Sequence, residues 1–175
     1  FKLESGIEIL QSEPGFIEAK LPGCTFPLRM ILTPYANEFR MKTYLSSEDT
    51  EEEMRQLLQN HWTMLADKYC DPHGVNVLVS HLYLMQKGGI VLEEPEEEKS
   101  IVHIGGAQVI YTENIPPQIQ YTALGHLHRN HFVGSGENPV VYSGSPVSYS
   151  FGEVNQQKYV MLLDAEPNQK INTTK

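Results

Sequence analysis

With 175 residues, 40% of them hydrophobic and 20% charged, the chain has the composition of one folded globular domain with a sizeable core. Its formal net charge of −9 excludes nucleic-acid binding by bulk electrostatics, which needs clustered Lys and Arg, but not nucleic-acid chemistry at a metal site, where bound cations dominate locally. No apolar stretch approaches the roughly 20 residues that span a bilayer, no signal-peptide pattern opens the chain, and the isolated Cys24 and Cys70 read as reduced thiols of a cytoplasmic protein without membrane association.

"FKLESGIEIL" (1–10) reads as the last turn of a helix stopped by a left-handed Gly6, followed by a strand at Ile7–Leu10. A chain seldom starts inside a helix's final turn, so further residues are expected upstream of Phe1. "FIEAKLP" (16–22) and "FPLRMILTPY" (26–35) are strand-like runs parted by the turn dipeptide Pro22-Gly23. A helix follows. Thr50 and Glu53 fit a capping box, Glu51 to Glu53 suit a positive helix N-terminus, and Met54, Leu57, Leu58, Leu65 and Tyr69 recur at a helical period. Asp71-Pro72-His73-Gly74 ends it.

"VNVLVS" (75–80) is β-branched and dense enough for a strand buried on both faces. "LEEPEEEKS" (92–100) is an acidic, proline-interrupted loop, and "IVHI" before Gly105-Gly106 a short strand or loop edge. "YTALG" (121–125), "PVVYSGSP" (139–146) and "KYVMLLDAE" (158–166) read as further strands, and residues 166–175 as a polar, frayed tail. Strands alternating with a helix and long crossovers indicate an α/β architecture.

Two of the buried strands end alike: "VNVLVS" runs into His81, and "YTALG" into His126 and His128. In open α/β sheets, ligands collect at the carboxyl ends of strands. In an extended segment, residues two apart point to one side, roughly 6.5–7 Å from each other. That spacing lets two imidazoles straddle a pair of metal ions held ~3.5–4 Å apart, with His81 adding a third nitrogen. His61, His73, His103 and His131 read as ordinary helix, turn and surface residues. A dinuclear centre also needs a bridging carboxylate. Asp67, Asp71 and Asp164 qualify by type alone, and each is explained better as a helix, turn or strand-end residue.

"LVSHLYL", "IGGAQVI", "YTALGHLHRNHFVG" and "VVYSGSPVSYSFGE", in this order and spacing, resemble the SbcD-type nuclease family within the calcineurin-like metallophosphoesterases. G-H-x-H alone marks only the superfamily. Y-S-G-S-P, S-F-G-E and Gly105-Gly106 point to the SbcD branch. The resemblance is specific from about 75 to 165 and weaker before that.

It implies a four-layer α/β/β/α sandwich holding two metal ions, usually manganese, with magnesium the other candidate. By position, His81 and His126 match ligands to one ion, and His128 a ligand to the other. The family's D-x-H, G-D and G-N-H-D motifs are absent. They carry the bridging Asp, an Asn ligand and the histidine that assists the leaving group, and are expected upstream of Phe1. Residues 1–165 then correspond to the C-terminal half of a nuclease domain whose catalytic residues lie elsewhere.

The implied activity is exonucleolytic and endonucleolytic cleavage of DNA in repair and recombination, with an SbcC-type ATPase partner and a homodimer as possible assemblies. Arg129, Asn130 and the Ser143-Gly144-Ser145 loop are candidate contacts to the DNA backbone. The competing readings are a metallophosphoesterase of small phosphate esters and a non-catalytic interaction module.

Overall fold

Three antiparallel strands open the chain: β1 (Glu8–Glu13), β2 (Phe16–Lys20) and β3 (Pro27–Thr33), turned at Gly15 and Gly23, both with positive φ. The computed structural model describes residues 1–34, 50–89 and 109–175. The expected acidic loop at 92–100, the "IVHI" strand with His103, and Gly105-Gly106 lie outside these residues, as does the Thr50 side chain of the capping box.

The opening residues correct one expectation. Phe1 to Gly6 form no helical turn. The segment folds back on β1, with Ile9 N–H donating to Phe1 C=O at 2.7 Å, Leu3 N–H to Ile7 C=O at 2.7 Å, and Lys2 bridged to Glu8. Gly6 is left-handed as expected (φ 85°), but it closes a tight reversal. A lone helical turn gains too few hydrogen bonds to repay its ordering, whereas a strand edge offers them ready-made.

The single described α-helix, α1 (Thr50–Tyr69), carries the chain from β3 to β4 (Val75–Ser80), which lies parallel to β3. Its inward face is Met54, Leu58, Trp62, Leu65 and Ala66, all buried. Leu57, expected on that face, is 38% exposed at its rim, and the fully buried Trp62 takes the central place. Trp62 Nε1–H donates to Thr33 Oγ1 at 2.7 Å, so the indole's polar edge is satisfied inside the core. Tyr69 stacks on Phe16 with ring centroids 4.1 Å apart.

Beyond β4 come two pairs of short strands and the rest of the main sheet. β5 (Leu84–Met85) pairs with β6 (Ile110–Tyr111); β7 (Tyr121–Leu124), β8 (His131–Phe132) and β9 (Val140–Tyr142) extend the sheet. The seven-stranded order is β1-β2-β3-β4-β7-β9-β8, and β3, β4, β7 and β9 are mutually parallel. As its composition predicts, β4 is buried on both faces. The main core lies between α1 and the sheet; a smaller cluster of Val75, Val77, Tyr121, Val141 and Ile171 covers the other face.

The tail is the second correction. Residues Asn172–Thr174 form β11, paired with β10 (Leu162–Asp164), and Ile171 is buried against the sheet. One apolar residue in a polar stretch anchors what composition alone marks as frayed. The described residues thus form an α/β arrangement of one main sheet and one helix. No described helix is long and apolar enough to cross a membrane.

Candidate metal centre

Parallel strands share a direction, so β4, β7 and β9 all end at the same edge of the sheet. His81 follows the last residue of β4, Gly125-His126 the last of β7, and Ser143-Gly144-Ser145 the last of β9. The Gly125 N–H donates to Ser80 C=O at 2.9 Å, which sets the two histidine-bearing ends side by side. The rings of His81 and His126 meet edge to face with centroids 5.3 Å apart.

This closeness explains the glycine. A Cβ at Gly125 would come within 2.7 Å of His81 Nδ1. Tyr142, fully buried at the end of β9, steadies the segment after His81. Its hydroxyl accepts the Leu84 N–H at 2.7 Å and donates to Leu82 C=O at 3.0 Å.

The extended H-x-H geometry inferred from sequence does not hold. β7 stops at Leu124, and His126 has φ 96°, in the left-handed region that a β-carbon resists. Between the histidines, Leu127 turns into the core at 6% exposure. The turn at His126 therefore sends His128 toward a different neighbourhood, where its ring lies 5.4 Å from that of Tyr149.

There His128 meets a residue that the sequence reading does not single out. Glu153 is 0% exposed, and its Oε1 lies 3.1 Å from His128 Nδ1. The Lys158 ammonium is its strongest partner, and it holds the Glu153 carboxyl down to about 2, with His128 and the Tyr149 N–H assisting and burial opposing. The only sequence signal for Glu153 is its place in S-F-G-E, with Ser145, Ser150 and Lys158 close by in the chain.

The His126 pKa is lowered, first by burial and then by the neighbouring His81 and His128. The His131 pKa is also lowered, by burial and by Arg129. Among the described residues, no group of three or more His, Cys, Asp or Glu side chains is placed to hold a metal ion.

The donor set nevertheless fits the nitrogen portion of a metal centre. His81 is exposed, His126 is held in a costly backbone conformation, and His128 has a buried carboxylate on its inner nitrogen, as metal-binding histidines usually do. The three aspartates considered from sequence are accounted for elsewhere. Asp67 accepts from Gln118 at 2.7 Å, Asp71 pairs with Arg29 at 2.6 Å, and Asp164 is exposed in β10.

The candidate DNA contacts divide. Arg129 is exposed, and Ser143 and Gly144 are half-buried beside it. The Asn130 amide is spent on Tyr142 C=O at 2.9 Å. Ser145 is buried, with its hydroxyl on Glu153 at 3.2 Å and accepting from Lys158 at 2.8 Å, so it faces the interior. Gly144 is required by space: a Cβ there would lie 2.9 Å from His128 C=O, and its φ is 84°. Y-S-G-S-P thus reads as a loop pressed against the 128–130 backbone. A cleft of about 560 Å³, lined by Asp71, Asn76, Gln118 and Gln169, opens at the opposite edge, near the amino ends of β4 and β7.

No protein-family model matches the chain. It is 31% identical over 177 aligned residues to the SbcD subunit of the SbcCD nuclease from Bacillus subtilis (strain 168), covering 95% of this chain and 42% of that protein. To the SbcD subunit from Staphylococcus epidermidis it is 28% identical over 178 residues, covering 99% of this chain and 45% of that one. A 62-residue stretch is 42% identical to the Escherichia coli (strain K12) protein of the same name, 35% of this chain and 15% of that protein. The chain spans somewhat under half the length of the first two relatives. Similarity runs almost end to end along this chain, which makes it a relative of the SbcD subunits of SbcCD nucleases over somewhat under half of their length.

Proposed function

We propose that the chain forms part of a metal-dependent DNA nuclease that hydrolyses phosphodiester bonds at DNA ends in repair and recombination. The observation that carries this is the meeting of His81 and His126 at the carboxyl edge of adjacent parallel strands, with His128 on the same loop, in a chain related to proteins named as nuclease subunits. His81 and His126 would hold one ion and His128 a second; manganese is the proposed metal, with magnesium the alternative. When bound, such a pair neutralises charge on the phosphate and activates water.

The chain's own residues orient the substrate. Arg129 and the Ser143-Gly144 turn offer a cation and backbone N–H groups to a phosphate at the same edge. Tyr149 and Phe151, 67% and 93% exposed, stand on the segment beside His128 and present ring faces on which unpaired bases can stack. Stacking rings favour a nucleic acid over a small phosphate ester.

The bridging carboxylate and the acid for the leaving group are assigned to the family's earlier motifs, so this chain alone is expected to be inactive. The remaining layers of the four-layer sandwich, an SbcC-type ATPase partner, a homodimer and a cytoplasmic setting belong to the same reading.

The experiment compares the full-length protein with His128→Ala on end-frayed duplex DNA and on a p-nitrophenyl phosphate ester, in millimolar manganese. DNA cleavage that falls at least about a hundredfold in the variant is expected. Turnover of the ester alone would assign the site to small phosphates, and no turnover of either would make the protein an interaction module.

A further inference from the structure

The 3-10 turn Phe151–Glu153 sorts its residues against the hydrophobic rule: Phe151 is 93% exposed while Glu153 is fully buried. Burying an ionised carboxylate destabilises a fold unless charge and hydrogen bonds are returned to it. Here they are returned. Lys158 Nζ donates to Oε2 at 2.5 Å, Ser145 Oγ to Oε2 at 3.2 Å, and Ser150 Oγ to Oε1 at 3.4 Å. Lys158 also donates to the carbonyl of His128 at 3.2 Å, so the cation ties the carboxylate to the backbone of the very residue it faces.

The remaining direction of Oε1 is taken by His128 Nδ1 at 3.1 Å. An ionised carboxylate only accepts. In a neutral imidazole, Nδ1 must therefore carry the proton, and the ring's lone pair falls on Nε2. A carboxylate serving only as a staple for Lys158 would need no imidazole against it.

We propose that Glu153, fixed by Lys158 and Ser145, is a positioning residue that holds His128 as the Nδ1–H tautomer, with Nε2 the nitrogen that takes a divalent metal ion. The proposal rests on the reading of His128 as a metal ligand. It also gives Ser145 a role distinct from touching DNA: its hydroxyl completes the cradle of the carboxylate.

The test uses the full-length protein and reads manganese binding, by electron paramagnetic resonance of the unbound ion, beside thermal melting. His128→Ala should lower manganese affinity at least about tenfold, and Glu153→Ala should lower it roughly ten- to hundredfold, the usual effect of removing such a partner. Glu153→Ala should also melt earlier, because Lys158 is left without its carboxylate. The double variant Glu153→Leu/Lys158→Met removes both charges together and should regain stability while still binding manganese weakly.

A double variant that regains stability and affinity alike would reduce Glu153 to a staple and overturn the proposal. Undiminished manganese binding in His128→Ala would instead overturn the metal reading, and the proposal with it. An independent measurement needs no variant to fold. The metal-free parent's imidazole 15N spectrum should show His128 as the Nδ1–H tautomer, and an Nε2–H tautomer would overturn the proposal outright.

Discussion

His126 occupies a backbone conformation in which a non-glycine residue costs about 1 kcal/mol or more, its φ being 96°. A chain under no other demand would place glycine there, as it does in the left-handed turns at Gly15 and Gly144. The proposed ligand role of the imidazole accounts for its being kept there at a cost in stability. His126→Gly is expected to leave the melting temperature unchanged or raise it slightly while manganese affinity falls at least about tenfold. His126→Ala should lose the same affinity without the backbone relief. Melting curves and manganese titrations of the two variants check this, and a marked loss of stability in His126→Gly would mean that the ring is a structural part of the core edge.

A second polar device joins element ends near the amino ends of β3 and β4. Arg29 on β3 donates through Nε to Glu18 on β2 and through Nη1 to Asp71 after α1, both at 2.6 Å. It thus ties two strands to the helix exit. The Asp71 pKa is lowered, first by the Arg29 bond, then by the His73 N–H, with burial opposing. A depressed carboxylate stabilises the fold above its ordinary value of ~3.9 and loses that contribution as pH falls through its folded value. Asp71 is 48% exposed, so solvent screens the pair, and Asp71→Asn should cost only about 0.5–1 kcal/mol at neutral pH. Urea midpoints followed by Trp62, the chain's single tryptophan, should show the gap between parent and variant closing as pH is lowered below ~3.9. A gap constant with pH would assign the loss to something other than the ion pair. Some of these elements can be read from the sequence and others cannot. β4 and β7 were legible because each is an apolar run ending in histidine, and α1 because its period is regular. Glu153 was not, because its burial depends on His128, 25 residues earlier, and on Lys158, five residues later. The positive φ at His126 and the anchoring of the tail by Ile171 are likewise decided by tertiary contacts that local pattern does not encode.

For the whole molecule, an acidic chain with a net charge of −9 that is proposed to act on DNA must gather its positive charge at the site itself. On the proposed metal reading, activity depends jointly on pH and on metal. An imidazole binds a metal ion only when neutral, so on the proposed reading protons and manganese would compete for His81, His126 and His128. The His126 pKa lies below the ordinary ~6.5, through burial first and then through His81 and His128, so this imidazole stays neutral further into the acid range than a solvent-exposed histidine would. Activity of the full-length protein is expected to fall as pH drops through about 6, and raising manganese should shift the midpoint to lower pH by mass action. The sign is fixed by the competition: adding metal favours the deprotonated rings, so more acid is needed to empty them. A pH–rate profile at two manganese concentrations, tenfold apart, measures the shift, which approaches one pH unit when one proton is displaced per ion. A midpoint that stays put would mean that these histidines are not ligands, and the convergence of β4 and β7 on this edge would then need another explanation.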